Sequence, residues 1–219
     1  MNLKTNIANS GNYTRGRTRS IKYIIIHYTA NNGDTAKGNC NYFAIGGRNA
    51  SAHYFVDENG IYQSVADSDT AWSVGASRYF HDDCRNNNSI SVEMCSRKDS
   101  SGNYYIKEDT VSNAAELVKV LMEKYNVPIS NVLRHYDVTG KNCPEPFVRD
   151  ATQWTVFKKR LEEEEMEKTA VKISVNGTAK TLEGFNIDGT NYVTIRELCE
   201  LLGVTVGYDS ATKTVVLSK

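Results

Sequence analysis

Short apolar runs alternate with amphipathic repeats along most of the chain, and each period predicts an element. "YIIIHYTA" (23–30) is apolar and rich in β-branched residues, the pattern of a buried central strand. "DTAKGNCNYFAIG" (34–46) reads as a helix that Asp34 or Thr35 caps and glycine closes. "SAHYFVDENGIYQSV" (51–65) reads as a hairpin, with Asn59-Gly60 as its turn signal. In "SISVEMC" (89–95) period-two alternation puts Ile90, Val92 and Met94 on one face and Ser91, Glu93 and Cys95 on the other. Val111, Ala115, Val118, Met122 and Tyr125 recur at helical spacing within 109–128, and Pro128 closes that segment. "VLRHY" (132–136) predicts a short strand, and 150–165 a helix with Trp154, Phe157 and Leu161 on one side. The fold class that follows is α/β, a mixed central sheet flanked by helices.

The texture changes after residue 161. "EEEEMEKTA" (162–170) is charged, the pattern of a helix tail passing into a linker. Residues 171–219 then read as strands around one helix, "IRELCELLG", a small β-rich C-terminal domain. Expected boundaries are therefore 1–161, 162–170 and 171–219. Charge divides the same way: residues 1–160 carry 20 Lys and Arg against 16 Asp and Glu, and residues 161–219 carry 6 against 10. The net charge of zero gives no global attraction to nucleic acid or anionic membrane. No apolar run approaches the roughly 18 residues of a membrane span. The N-terminal stretch lacks the apolar core and cleavage site of a secretory signal, so synthesis in the cytoplasm is expected. Five cysteines, an odd number without a CxxC pair, argue against a disulfide framework. Cys40, Cys95 and Cys199 are expected as buried thiols and Cys84, in "HDDCRNNN", as an exposed one.

Candidate chemistry concentrates in "RHYDVTGKNCPEP" (134–146). His27 and His135 each end a predicted strand, and two such strands can bring both imidazoles to one rim of a sheet. The loop between His135 and Cys143 can fold back and set the thiol beside them. Two imidazoles and a thiolate with a fourth position open form the ligand set of a catalytic zinc. A Cys143 nucleophile with a histidine base uses the same residues, and spacing alone fits both readings. The plain structural alternatives are a core histidine at 27, a solvent-facing Glu93, an ordinary loop lysine at 141 and a turn-forming Asp137.

"YIIIHYTAN", "SAHYFVDENGIYQSV", "AWSVG", "NNNSISVEMC" and "RHYDVTGKNCPEP" occur in the order seen in zinc-dependent N-acetylmuramoyl-L-alanine amidases of type 2. The chain resembles this family, which includes many phage endolysins and is related to the peptidoglycan-recognition proteins, over about residues 20 to 160. The resemblance implies one catalytic zinc on His27, His135 and Cys143, with Glu93 as general base and Lys141 facing the substrate carbonyl. It implies cleavage of the amide between N-acetylmuramic acid and L-alanine of bacterial peptidoglycan. It places His53 and Trp72 on the substrate side of the cleft and makes Asp137 a turn residue rather than a ligand. Two positions depart from the pattern. Ala52 stands where some branches have a catalytic tyrosine, which shifts the load onto Glu93, and Ser73 stands where many members have a histidine.

The C-terminal stretch, through "VNG", "NYVTIRELCELLGVTVGYD" and "KTVVL", resembles stalk-type domains related to the N-terminal domain of copper amine oxidases. It has no histidine for a copper site, and Arg196 and Glu197 on its helix are expected as surface charges. Cell-wall binding or self-association is the expected role. The whole reads as an endolysin released to the wall by a holin, without nucleic-acid partners or membrane insertion. The alternatives are a non-catalytic peptidoglycan-binding protein, a host autolysin or wall-recycling amidase, and a cysteine hydrolase using Cys143.

Overall fold

The computed structural model describes residues 3–162, 168–187 and 189–219, and the chain divides into two compact units, Met1–Glu163 and Glu164–Lys219. The first unit runs β1 (Leu3–Thr5), β2 (Tyr23–Tyr28), α1 (Ala36–Phe43), β3 (Tyr54–Asp57), β4 (Gly60–Gln63), β5 (Ser89–Met94), α2 (Glu108–Tyr125), β6 (Val132–Arg134), α3 (His135–Thr139), α4 (Glu145–Arg149) and α5 (Ala151–Glu162), with minor two-residue strands between them. Its main sheet has the order β1-β4-β3-β5-β2-β6. Every neighbouring pair is parallel except the β3–β4 hairpin. The mixed α/β sheet flanked by helices is thus the architecture.

β2 is central and covered on both faces, which is why its run is continuously apolar rather than alternating. Ile24 and Ile26 join Ile90, Val92 and Met94 of β5 against Leu117, Val118 and Leu121 of α2 and Phe157 and Leu161 of α5. Tyr23 and Ile25 point the other way, onto Val74, Cys84 and Val138. Cys84 is therefore buried, contrary to the expectation from its polar neighbours: the loop folds over the sheet and turns this one side chain inward. α2 buries the predicted Ala115 and Val118 together with Ala114, Leu117 and Leu121, leaving the predicted Val111, Met122 and Tyr125 partly covered at its edge. The predicted hairpin forms one residue early. Asp57 pairs with Gly60, so Glu58 and Asn59 make the loop, and Gly60 at φ 142° opens the return strand.

α5 ends at Glu162 and the next strand opens at Lys168, so residues 168–170 are strand rather than linker; residues 163–167 lie outside the described residues. The second unit, taken by itself, holds β7 (Lys168–Val175), β8 (Thr178–Ile187), β9 (Thr190–Val193), α6 (Ile195–Leu201), β10 (Thr205–Asp209) and β11 (Thr214–Ser218). β7-β8-β9 form one antiparallel sheet and β10-β11 another. Thr194 caps α6 by accepting from Glu197 N–H, while its hydroxyl donates to the Glu197 carboxylate at 2.6 Å. Glu197 is therefore a capping residue, and Arg196 is exposed. All five cysteines are free and buried.

Candidate functional site

Register alone assembles one end of the sheet. His27 pairs with Glu93 across β2–β5, and Ile26 pairs with Arg134, the residue before His135, across β2–β6. All three side chains thus emerge where parallel strands end, the usual place for a site in such sheets. His135 was expected to end a strand, but it opens α3. The Arg134 N–H donates to Asp137 Oδ2 at 2.8 Å, which stops the strand and starts the helix. α3 ends at Gly140, whose φ of 78° reverses the chain, and the Tyr136 N–H then donates to the Cys143 carbonyl at 2.8 Å. That return sets Cys143 beside both histidines. Arg134 locks the arrangement. Its guanidinium donates to Asp137 (2.7 and 3.1 Å) and to the Phe147 carbonyl at 3.0 Å, which ties the helix carrying His135 to the segment after Cys143. Asp137 is engaged as this cap and is not among the grouped donors.

One donor atom each of His27, His135 and Cys143 lies within 4.8 Å of the others. The three residues are 2–3% exposed. His27 Nδ1 is 3.7 Å from Cys143 Sγ and 3.8 Å from Glu93 Oε1, and the two imidazole rings stand edge to face at 4.6 Å. His27 Nε2, His135 Nδ1 and Glu93 Oε2 are buried without a hydrogen-bond partner. Burial first, then His135 and Lys141, hold His27 well below its ordinary pKa. Burial and Lys141 bring His135 down to about 4. Neutral imidazoles are the form that ligates metal. Burial pushes the Cys143 thiol up to about 12, with Glu93 adding to the rise. A thiol so raised makes a poor free nucleophile, whereas a cation would draw off its proton. Burial also raises Glu93 to about 8, opposed by Lys141. Unpaired buried donors of this kind suit a tetrahedral, borderline-soft divalent cation with one position left open.

The cluster lies on the floor of a cleft. A small cavity of about 150 Å³ is bounded by His27, Cys143, Glu93, Ala52, Trp72 and Lys141. A lobe of about 710 Å³ has Trp72, Ser73, Arg78, Phe80, His135 and Lys141 among its walls. A second, of about 660 Å³, has Tyr28, Asp34, Asn39, Tyr42, Glu93 and Cys143 among its own. Lys141 borders all three. Trp72, a predicted contact, is thus on the wall, its Nε1–H donating to Thr14 Oγ1 at 2.9 Å. His53, the other predicted contact, is buried instead and borders none of these cavities. Its Nδ1 is engaged by Ser91, at 3.0 Å, and its Nε2 by the Arg17 guanidinium at 2.6 Å. Ala52, where some branches of the family have a tyrosine, borders the small cavity. Sequence reading missed Tyr42, Asp34, Asn39 and Arg78. The first three follow β2, the strand that carries His27 near its end, and loops at that end of a parallel strand are where binding residues gather.

A family model described as N-acetylmuramoyl-L-alanine amidase matches residues 17–146. A probable N-acetylmuramoyl-L-alanine amidase of Bacillus licheniformis is 38% identical over 176 residues, covering 74% of this chain and 47% of the relative. The N-acetylmuramoyl-L-alanine amidase BlyA of Bacillus subtilis (strain 168) is 33% identical over 181 residues, again 74% and 47%. The chain thus spans about half the length of these curated relatives. Among solved structures, the catalytic domain of XlyA aligns with a TM-score of 0.62 at 27% identity, over 74% of this chain and 99% of that domain. PlyL aligns equally well, with a TM-score of 0.62 at 27% identity, over 74% and 97%.

Proposed function

The chain belongs to the N-acetylmuramoyl-L-alanine amidase family, and from that premise we propose that it hydrolyses the amide joining the lactyl group of N-acetylmuramic acid to L-alanine in bacterial peptidoglycan. The observation that carries this reading is the convergence of the His27, His135 and Cys143 donors within 4.8 Å, with Glu93 Oε1 3.8 Å from His27, on the floor of an open cleft. Those three residues would hold one zinc ion, which supplies Lewis acidity at its open position. Glu93, partly buried with Oε1 3.8 Å from His27 Nδ1, is placed to take the proton of the attacking water and return it to the departing amine. Lys141, at the junction of the three cavities, presents its ammonium to the carbonyl oxygen as negative charge develops there. The balance is a simple hydrolysis: the water oxygen bonds to the lactyl carbonyl carbon, the C–N bond breaks, and the alanine nitrogen leaves protonated.

The endolysin-like relatives support action on the cell wall. No helix among the described residues is long and apolar enough to cross a membrane. A phage endolysin reaching the wall through a holin lesion is the biological setting we assign, and the second unit is read as an accessory that holds the enzyme to the wall or pairs with another copy. The test is chemical. Purified cell walls incubated with the full chain should yield new N-terminal L-alanine and no new reducing sugar. Release of reducing ends would replace the amidase reading with a glycosidase one. Release of neither, with walls still bound, would favour a non-catalytic binding protein.

A further inference from the structure

His53 borders none of the cavities, so its influence on the cleft runs through the groups it holds. The pairing of β3 with β5 sets Tyr54 opposite Val92 and Phe55 opposite Glu93, and one step back it sets His53 opposite Ser91. Ser91 and Glu93 share one face of β5. At this last step side chains carry on the ladder. The His53 N–H donates to Ser91 Oγ at 3.1 Å, and His53 Nδ1 stands 3.0 Å from the same oxygen. On the far side of the ring Nε2 meets the Arg17 guanidinium at 2.6 Å. A guanidinium only donates, so Nε2 accepts. Burial and Arg17 bring His53 down to about 3, and the neutral ring then donates from Nδ1 to Ser91 Oγ. Arg17 is itself held, its Nε donating to the Asp67 carbonyl at 2.5 Å and its Nη1 to the Asn86 carbonyl at 3.4 Å. Ser51, two residues before His53, donates its N–H to the Trp72 carbonyl at 3.1 Å, and its Oγ accepts from the Trp72 N–H at 3.0 Å. The segment 51–53 thus ties the Trp72 wall to β5.

Glu93, by contrast, is placed by its backbone. Its Oε2 has no partner and its Oε1 lies 3.8 Å from His27 Nδ1, so no hydrogen bond holds the carboxylate among the described residues. Resting on the amidase reading, we propose that His53 is a positioning residue, which through Ser91 and braced by Arg17 fixes the stretch of β5 that aims Glu93 at the attacking water. A displacement of about 1 Å in a reacting group costs on the order of 10²-fold in rate, so a clamp two residues away matters to kcat without touching substrate.

The test is a double-mutant cycle on the full zinc-loaded chain, with a soluble N-acetylmuramoyl-peptide as substrate and amine release as the signal. His53→Ala should lower kcat by about 10–100-fold with KM and zinc content unchanged. In a Glu93→Gln background the same substitution should lower kcat by less than about twofold, because the group it positions is already gone. In a Lys141→Ala background the full loss should persist. His53→Asn, whose amide reaches Ser91 but not Arg17, should recover most of kcat, and His53→Gln, which reaches Arg17 but not Ser91, should not. Amide hydrogen exchange over residues 91–93 should quicken in the Ala and Gln variants and return to the wild-type rate in Asn. Where His53→Ala fails to hold zinc, Ser91→Ala removes the same clamp from the other side and runs the cycle with the same expectations. Equal losses in the wild-type and Glu93→Gln backgrounds would make His53 an ordinary core residue and overturn the proposal, as would a loss confined to KM. Failure of the amidase reading shows differently: wild type releases no amine, while exchange over residues 91–93 still reports whether His53 holds β5.

Discussion

Asp137→Ala separates a capping residue from a metal ligand. The carboxylate accepts three hydrogen bonds, one from the Arg134 backbone and two from its guanidinium at 2.7 and 3.1 Å. Arg134 and Asp137 side chains are only 16% and 26% exposed. A net bond to a neutral donor contributes roughly 1 kcal/mol and one to a charged group roughly 1.5 or more. Partial exposure discounts the charged pair. Removing the carboxylate should therefore cost about 3 kcal/mol, since the Phe147 carbonyl still accepts from Arg134. Asp137→Asn keeps an acceptor for the backbone N–H and should cost about 1 kcal/mol. Both tryptophans, Trp72 and Trp154, lie in the first unit, so urea unfolding of the chelated protein followed by their fluorescence reads this unit alone. Zinc should still bind one to one, about 10–100-fold more weakly, because His135 and Cys143 lose the brace that aligns them. A variant with unchanged unfolding midpoint and no bound zinc would refute this reasoning and make Asp137 a ligand.

Three other substitutions address separate parts of the account. Glu93→Gln should retain zinc and lower kcat by about 10²–10⁴-fold, the weight of a general acid–base group, in an assay of amine release. In the metal-free protein, burial raises Glu93 from 4.5 to about 8, so the folded state holds its proton more tightly than the unfolded chain does. Wild-type stability should then fall as pH rises from about 4.5 to 8, and the gain from Glu93→Gln should grow across that window; a pH-independent difference would contradict the burial argument. Lys141→Ala should lower kcat by about 10²–10³-fold with unaltered zinc content, as for loss of an oxyanion donor; a change confined to KM would reassign Lys141 to binding. Gly140→Ala places a Cβ at φ 78° and 2.5 Å from the Phe80 ring. Phe80 is exposed and can swing aside, so about 1–2 kcal/mol of left-handed strain should remain in the unfolding midpoint.

What was legible in the sequence followed from local periodicity. The run of β-branched residues marked β2, and its end marked His27. The glycine-containing loop after His135 gave the return of Cys143. Each of these depends on neighbours within about ten positions. Long-range partners decided the rest. Cys84 sits in a polar stretch, and its burial comes from Tyr23 and Ile25, about sixty residues upstream. His53 looked like a cleft residue, yet its ring is claimed by Arg17 and Ser91, which no local pattern connects to it. The order of the sheet, with β1 at the far edge beside β4, likewise depends on pairing that a three-residue polar strand does not announce.

Cobalt substitution tests the central claim most directly. The full chain is stripped with a chelator, assayed, and titrated with Co²⁺ while absorption and amine release are recorded together. The account predicts loss of activity on stripping, its return at one equivalent, and a thiolate-to-cobalt charge-transfer band that disappears in Cys143→Ser. Full activity in the stripped protein, or a cobalt complex without a thiolate band, would contradict it.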